Sequence, residues 1–331
     1  MSPTPLPVFL HLLANPKLAP GAALLVFQSD AAEVLSQLSA NDGFGDLAAG
    51  FPCLLANGPA LALAPDLLAS LKAAGCTVVE PSALHRSDEA TPPALPASAQ
   101  WLQGDWYLAP PQRPTTAQSA SRALALKLLQ LVMADAETRD IEAVLRQDPT
   151  LSYHLLRLVN SLGMGATRRV TSFSQAIVIL GRMQLRRWLN LMLFAARSDD
   201  HRAGMLLARV ALRSRTMELL AKDAGLDRAD QDQAFMAGMF SLLGVLFGTS
   251  LPELLKPLQL SDELTEALLQ HQGDIGRLLL MVEQADQFDV AGVASLQTEL
   301  QLTPAQITLR SVEACHWMLG IARDVEGGAH G

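Results

Sequence analysis

Aromatic side chains are scarce here: they make up 5% of the 331 residues, and tyrosine occurs only twice. A nucleic-acid surface that stacks bases needs exposed rings between its cations, and the sequence offers no such interleaving. Cysteine is scarcer still. Cys53, Cys76 and Cys315 stand far apart with no CxxC pair, which excludes a disulfide framework and a zinc ribbon and leaves buried thiols. Charged residues reach only 18%, so much helix surface is expected to turn inward. No apolar run approaches the roughly 20 residues needed to cross a bilayer. The longest, Ala234 to Gly248, reads as a buried helix. The opening MSPTPLPVFLHLLANPKL lacks the basic start and cleavage site of a secretory signal. A soluble, cytoplasmic protein without membrane contact is the expectation.

What is present is leucine, alanine and a patterned charge. Half the residues are hydrophobic, and Leu and Ala keep their rotamer freedom in helices, which favours helix packed on helix. The net charge of -8 conceals three blocks. Acids lead up to about residue 115, arginines dominate from Arg139 to Arg215, and acids lead again from Met217. Such a basic block either meets an acidic partner or pairs internally with the acidic helices.

Two textures follow one another. Up to about residue 115, short apolar runs alternate with helical segments. Ala23–Phe27, Pro52–Leu55 and Cys76–Val79 read as strands, and Ala31–Leu38 and Ala64–Ala74 as helices, the second stopped by Gly75. This alternation implies parallel βα units, too few to close an eight-stranded barrel. Arg86–Ala99 is a loop. Beyond the prolines at 110–114 the pattern is helical: Ala120–Ala134, Asp140–Arg146, Leu151–Ser161, Phe173–Leu180, Met183–Arg197, then about 203–224, 231–247, 261–270 and 275–287. Thr303, Pro304 and Gln306 form a capping box that opens the last helix. The boundary falls near Gln112–Ser119. The overall class is therefore α+β, with a small α/β part over 1–115 and an all-helical part over 120–325.

The stretch Gln147–Leu193 carries an Asp148-Pro149 helix start, then LLRLVNS, a glycine-bearing loop at Gly163 and Gly165, and a segment reading V-T-S through A-I to L-G and L-R-R-W. In residue types and gap lengths it resembles the HDOD family, over about residues 120–325. That family is related to HD-type metal phosphohydrolases, whose His-Asp pair holds metal ions over a phosphodiester. At the corresponding helix this sequence reads AFMAGMFSLLG from Ala234, so Ser241 and Leu242 stand at the His and Asp positions. A hydroxyl and a leucine are poor replacements for an imidazole and a carboxylate as metal ligands. The resemblance therefore implies a helical domain without that metal site and without a cofactor.

Gly75-Cys-Thr-Val-Val-Glu80 followed by Leu102-Gln-Gly-Asp-Trp-Tyr-Leu-Ala-Pro110 is similar to the closing strands of EAL-type cyclic di-GMP phosphodiesterase barrels. That resemblance implies a truncated, degenerate barrel remnant, with Glu80 and Gln103 as the positions carried over. The short matches at Glu33-Val-Leu35 and Glu266-Ala-Leu268 lie on amphipathic helices and begin no barrel.

The candidate interaction surface is an arginine-bearing helix. Arg182 and Arg186 lie four apart on one face, beside Arg187 and Trp188, while Arg157 and Asn160 on the preceding helix complete a polar patch. The alternative is that Trp188 packs inside and Arg187 pairs with an acid such as Asp148 or Asp199. His154 and His316 lack a second ligand at helical spacing, and Ser152 and Ser161 lack a His-acid pair. The two resemblances imply a bacterial signalling protein, and with these residues the expectation is a non-catalytic adaptor acting by protein–protein interaction in cyclic di-GMP-linked or two-component regulation. Its partners would be a histidine kinase, a response regulator or a cyclase-domain protein, and no nucleic acid. The alternative expectation is a nucleotide or cyclic-dinucleotide receptor without hydrolysis.

Overall fold

The computed structural model describes residues 6–58, 61–92, 94–109, 116–145, 147, 187, 190, 191, 194, 200–258 and 260–326. The helices expected over Leu151–Ser161 and Phe173–Leu180 lie outside them. The N-terminal part is a six-stranded sheet in the order β4-β3-β2-β1-β6-β5. Its strands are β1 (Phe9–Ala14), β2 (Pro20–Val26), β3 (Cys53–Ala56), β4 (Cys76–Val79), β5 (Leu84–Arg86) and β6 (Trp101–Gln103). Helices α1 (Ala32–Ser39), α2 (Asp42–Gly50) and α3 (Pro65–Ala73) connect the first four.

Period-two alternation gives the sheet two buried faces. Ala23, Leu25, Cys53 and Leu55 point into the main core shared with the helices. Ala22, Leu24 and Leu54 point the other way and join Leu13 in a second cluster, against which Val79, Leu84 and Trp101 pack. Because that cluster draws on β4 and β5, the two edge strands, the sheet is curled around it. Gly104, at φ 120°, follows β6, and a side chain there would run into the Ser87 carbonyl. Only glycine fits.

One strand departs from the expected pattern. All six residues of β1 are buried, so the run FLHLLA shows no alternation and gives no strand signal. It pairs antiparallel with β2 and β6, whereas β2–β3 and β3–β4 are parallel as expected; β5 and β6 form a further parallel pair. The three cysteines are buried and free, with Cys53 and Cys76 opposite one another across β3 and β4. Burial pushes both thiols up to about 12.

The helical part comprises α4 (Thr116–Met133), α5 (Thr138–Leu145), α6 (Ala203–Asp223), α7 (Arg228–Phe240), α8 (Leu243–Phe247), α9 (Leu251–Leu255), α10 (Asp262–Gln270), α11 (Gly273–Asp286), α12 (Val290–Glu299) and α13 (Pro304–Glu326). The single helix expected over 231–247 is broken at Ser241, whose hydroxyl donates to the Gly238 carbonyl. Gly238 itself lets α7 approach the α6 backbone at Ser214, where a Cβ would stand 2.8 Å from Ser214 Cα. The capping box is formed: Gln306 N–H donates to Thr303 Oγ1, and Thr303 N–H donates to Gln306 Oε1.

Helix α6 is the axle. It packs against α7, α11, α13 and β2 and is buried along almost its whole length. An all-round buried helix that carries arginines must pair them internally. Near its C-terminal half, Glu218 accepts from Arg187, Arg215 and Arg228, and Arg187 also pairs with Asp232 and lies 4.4 Å over the Phe235 ring. The far ends of the chain are tied by Thr308, 300 residues from Val8: its hydroxyl accepts the Val8 N–H at 2.8 Å and donates to the Val8 carbonyl. Sheet and helices thus share one continuous core. Among the described residues no single helix is long and apolar enough to cross a membrane.

Two outcomes follow from these buried groups. Glu218→Gln leaves Arg187 with Asp232 alone and should cost about 3 kcal/mol in chemical denaturation. His11 on β1 is buried against Phe288, and burial, helped by the Arg209 charge, lowers its pKa to about 3. The unfolded chain takes up this proton near pH 6.5 and the folded chain does not, so stability should fall as pH drops from 6.5 toward 3. The slope should approach about 1.4 kcal/mol per pH unit. His11→Phe should flatten that part of the stability–pH curve.

Candidate functional site

Arg209 and Arg213 sit one turn apart on α6 and therefore share a face. They are 2% and 6% exposed. Arg209 Nε donates to the Tyr107 hydroxyl at 3.0 Å, and its Nη1 pairs with Asp286. Arg213 Nη2 reaches the same carboxylate at 2.7 Å, while its Nη1 donates to Ser241 Oγ at 2.8 Å and to Glu283 at 3.2 Å. Glu283 in turn meets His271 Nε2 at 2.9 Å. Asp286 and Glu283 belong to the last turn of α11, His271 follows α10, Ser241 follows α7 and Tyr107 follows β6. One polar chain thus links the sheet's closing turn to three helical elements.

The electrostatics follow from burial. Loss of water pushes the Tyr107 hydroxyl up, so it stays a neutral phenol. Burial works against the Arg209 charge, but Asp286 and Tyr107 more than offset it and hold the pKa above the ordinary value. Arg209 Nη2 and Arg213 Nε are buried without a protein partner. A cavity of about 50 Å³ borders Arg213 and Asp286 and has room for a water molecule.

A second polar feature lies at the strand ends. Asn57 follows β3 and Glu80 follows β4, parallel neighbours, and Asn57 Nδ2 donates to Glu80 Oε1 at 2.8 Å. Carboxyl ends of parallel strands are where α/β folds gather reactive groups. Gln103 ends β6 in register with Arg86 at the end of β5. Glu80 and Gln103 are therefore set on strands separated by β3, β2 and β1 in the sheet. The structure couples each to a different neighbour and does not bring the two together as one pair.

Of the expected interaction surface, Arg157, Asn160, Arg182, Arg186 and Trp188 lie outside the described residues. Arg187 is described, and it faces inward at 8% exposure. It shares a helix face with the buried Asn190, Leu191 and Phe194. Its partners among the described residues are Glu218 and Asp232; Asp148 and Asp199 lie outside the described residues. The arginine block therefore pairs internally at this point, because a guanidinium on an apolar face needs buried carboxylates. Sequence reasoning missed Arg209, Arg213, Asp286, Tyr107 and Asn57. The signal for the first two was present: arginines four apart within the otherwise apolar MLLARVALRSR of α6.

The donor set around Ser241 does not suit a divalent metal. Ser241 offers one hydroxyl, Leu242 offers nothing, and the Arg213 guanidinium lies against that hydroxyl and would repel a cation. Among the described residues no group of three His, Cys, Asp or Glu side chains is arranged to hold a metal ion.

Comparison with known proteins bears on the rest. Residues 121–271 match the HDOD domain family. The chain is 29% identical over 228 residues to a protein named cyclic di-GMP phosphodiesterase CdgJ, from Vibrio cholerae, covering 69% of this chain and 52% of that one. It is 28% identical over 192 residues to the uncharacterised protein YuxH of Bacillus subtilis, covering 57% and 46%. The chain thus spans about half the length of these relatives. A solved HDOD domain protein of unknown function from Geobacter sulfurreducens aligns at 18% identity over 66% of this chain and 85% of its own, with a TM-score of 0.34. The relative named a phosphodiesterase overturns the expectations drawn from Ser241 and Leu242, of a non-catalytic adaptor and of a receptor without hydrolysis. Those two positions describe one helix end, and similarity to a named hydrolase runs through most of the chain. Across residues 121–271, this chain carries an HDOD domain.

Proposed function

We infer that this chain acts in cyclic di-GMP phosphodiester turnover, with the strand-end edge as the reacting face and the HDOD helices as its brace. The observation that carries this reading is the similarity to the relative named for that activity. It extends over 228 residues, more than the HDOD segment contains, and so reaches into the chain beyond it. The N-terminal sheet is read as a remnant of an EAL-type barrel, in keeping with Glu80 and the Gln103-Gly-Asp-Trp turn at its strand ends.

The chemistry assigned to Glu80 is that of a general base. Water attacks phosphorus, its proton passes to the free carboxylate oxygen, and the P–O bond to the ribose breaks. The departing alkoxide takes a proton from solvent and Glu80 returns its own to solvent, leaving a linear dinucleotide and the carboxylate restored. Asn57 holds one carboxylate oxygen at 2.8 Å, which orients the other. Full-length protein incubated with cyclic di-GMP, with products separated by chromatography, tests this directly. Linear dinucleotide is expected from the wild type. Glu80→Gln should lower its rate by about 10²-fold, the contribution of one positioned base. Absence of linear product from the wild type would overturn the reading.

The bracing role is carried by Arg209, which ties Tyr107 to Asp286. Arg209→Met breaks the tie to Tyr107, leaves Asp286 to Arg213 alone, and should cost about 2 kcal/mol of stability. Turnover should fall with it while the response to Glu80→Gln persists. An unchanged denaturation midpoint would show that the tie contributes nothing.

A further inference from the structure

Away from both polar features, α2, α6 and α13 border a groove of about 680 Å³, within the range of small-molecule sites. Its apolar lining comes from Leu309, Val312 and Trp317 on α13. Its charged lining is Arg215 and Arg310 with Glu313 between them, together with Asp46, Asp223 and the His316 ring. Each arginine is anchored by a buried acid behind it. Asp223 takes Arg310 with both oxygens, at 2.8 and 2.9 Å, and Glu218 takes Arg215 at 2.7 Å. Each guanidinium then turns a second edge to the same carboxylate: Arg215 Nη2 stands 3.2 Å from Glu313 Oε1 and Arg310 Nη1 stands 2.8 Å from Oε2.

Glu313 is the loosest member of this set. Its side chain is 43% exposed, against 9% for Asp223 and 4% for Glu218. It occupies the position a ligand anion would take between two forked cations. Trp317 stands four residues further along α13, hence on the same face, and its ring is held edge-on by Phe235 at 5.9 Å. A seat made of one nitrogen from each of two guanidiniums, beside an indole held at its edge, matches a flat ring with an acidic substituent.

We propose that this groove binds a planar aromatic anion of the aryl phosphate class. The phosphate displaces Glu313 from between Arg215 and Arg310, and the ring lies against Trp317. The site is separate from the strand-end edge and does not depend on phosphodiester turnover.

Isothermal titration calorimetry of the full chain with phenyl phosphate, and with inorganic phosphate in parallel, tests the assignment. Phenyl phosphate should bind about tenfold more tightly than inorganic phosphate, as one stacked ring contributes. Glu313→Gln removes the internal competitor and should tighten phenyl phosphate binding by about fivefold or more. A gain of this kind does not arise from misfolding. Arg215→Gln should abolish binding, with thermal denaturation checking its fold. Equal affinity for inorganic phosphate would mean an anion patch without a ring site and would overturn the proposal. So would binding unchanged by Glu313→Gln, or no saturable heat in either the wild type or that variant.

Discussion

A guanidinium buried inside a protein must find its counter-charges there, and Arg209 imposes this requirement on the whole molecule. Its partners come from opposite parts of the chain, Tyr107 after the last strand and Asp286 at the end of α11. Asp286 also serves Arg213, which in turn reaches Ser241 and Glu283. Removing Asp286 would leave the Arg209 charge with the neutral Tyr107 hydroxyl alone. The desolvation penalty for a charge so placed exceeds what most single contacts contribute. Sheet and helices are therefore held in a fixed relation, and α6 cannot turn about its axis without breaking several of these contacts together.

The same rule operates at the other end of α6. Glu218 gathers Arg187, Arg215 and Arg228, and Asp232 completes the set. Among the described residues, Arg187, Arg209, Arg213 and Arg215 of the basic block are answered from within by acids that follow them. The groove beside α13 differs in one respect. There an exposed carboxylate, Glu313, closes a pair of arginines whose buried partners already satisfy them. Internal neutrality is firm where acids are buried and exchangeable where they are not.

Local signals in the sequence were read correctly wherever local physics decides. Gly75 ends α3, and Thr303 with Gln306 caps α13. The strand Cys76–Val79 has the expected bounds. Signals fail where the deciding partner is distant. Strand β1 lacks alternation because both its faces are covered. The break at Ser241 depends on Arg213, 28 residues earlier. Asn57 gains meaning only from Glu80 on the neighbouring strand. In the polar cluster the arginines of α6 stand out locally, but their partner does not, since Arg209 and Asp286 are 77 residues apart.

Thr308 closes the backbone of Val8 across 300 residues, and this has a consequence for how the chain is made. The first strand leaves the ribosome long before its last partner exists. Until α13 has been synthesised, the Val8 end of the strand lacks its clasp and the apolar faces of β1 lack part of their cover. Contacts of such long sequence separation slow folding and lengthen the exposure of unpaired strand edges. The clasp on the start of β1 therefore closes only once α13 is available, which makes this contact one of long loop closure whatever the order in which the rest folds.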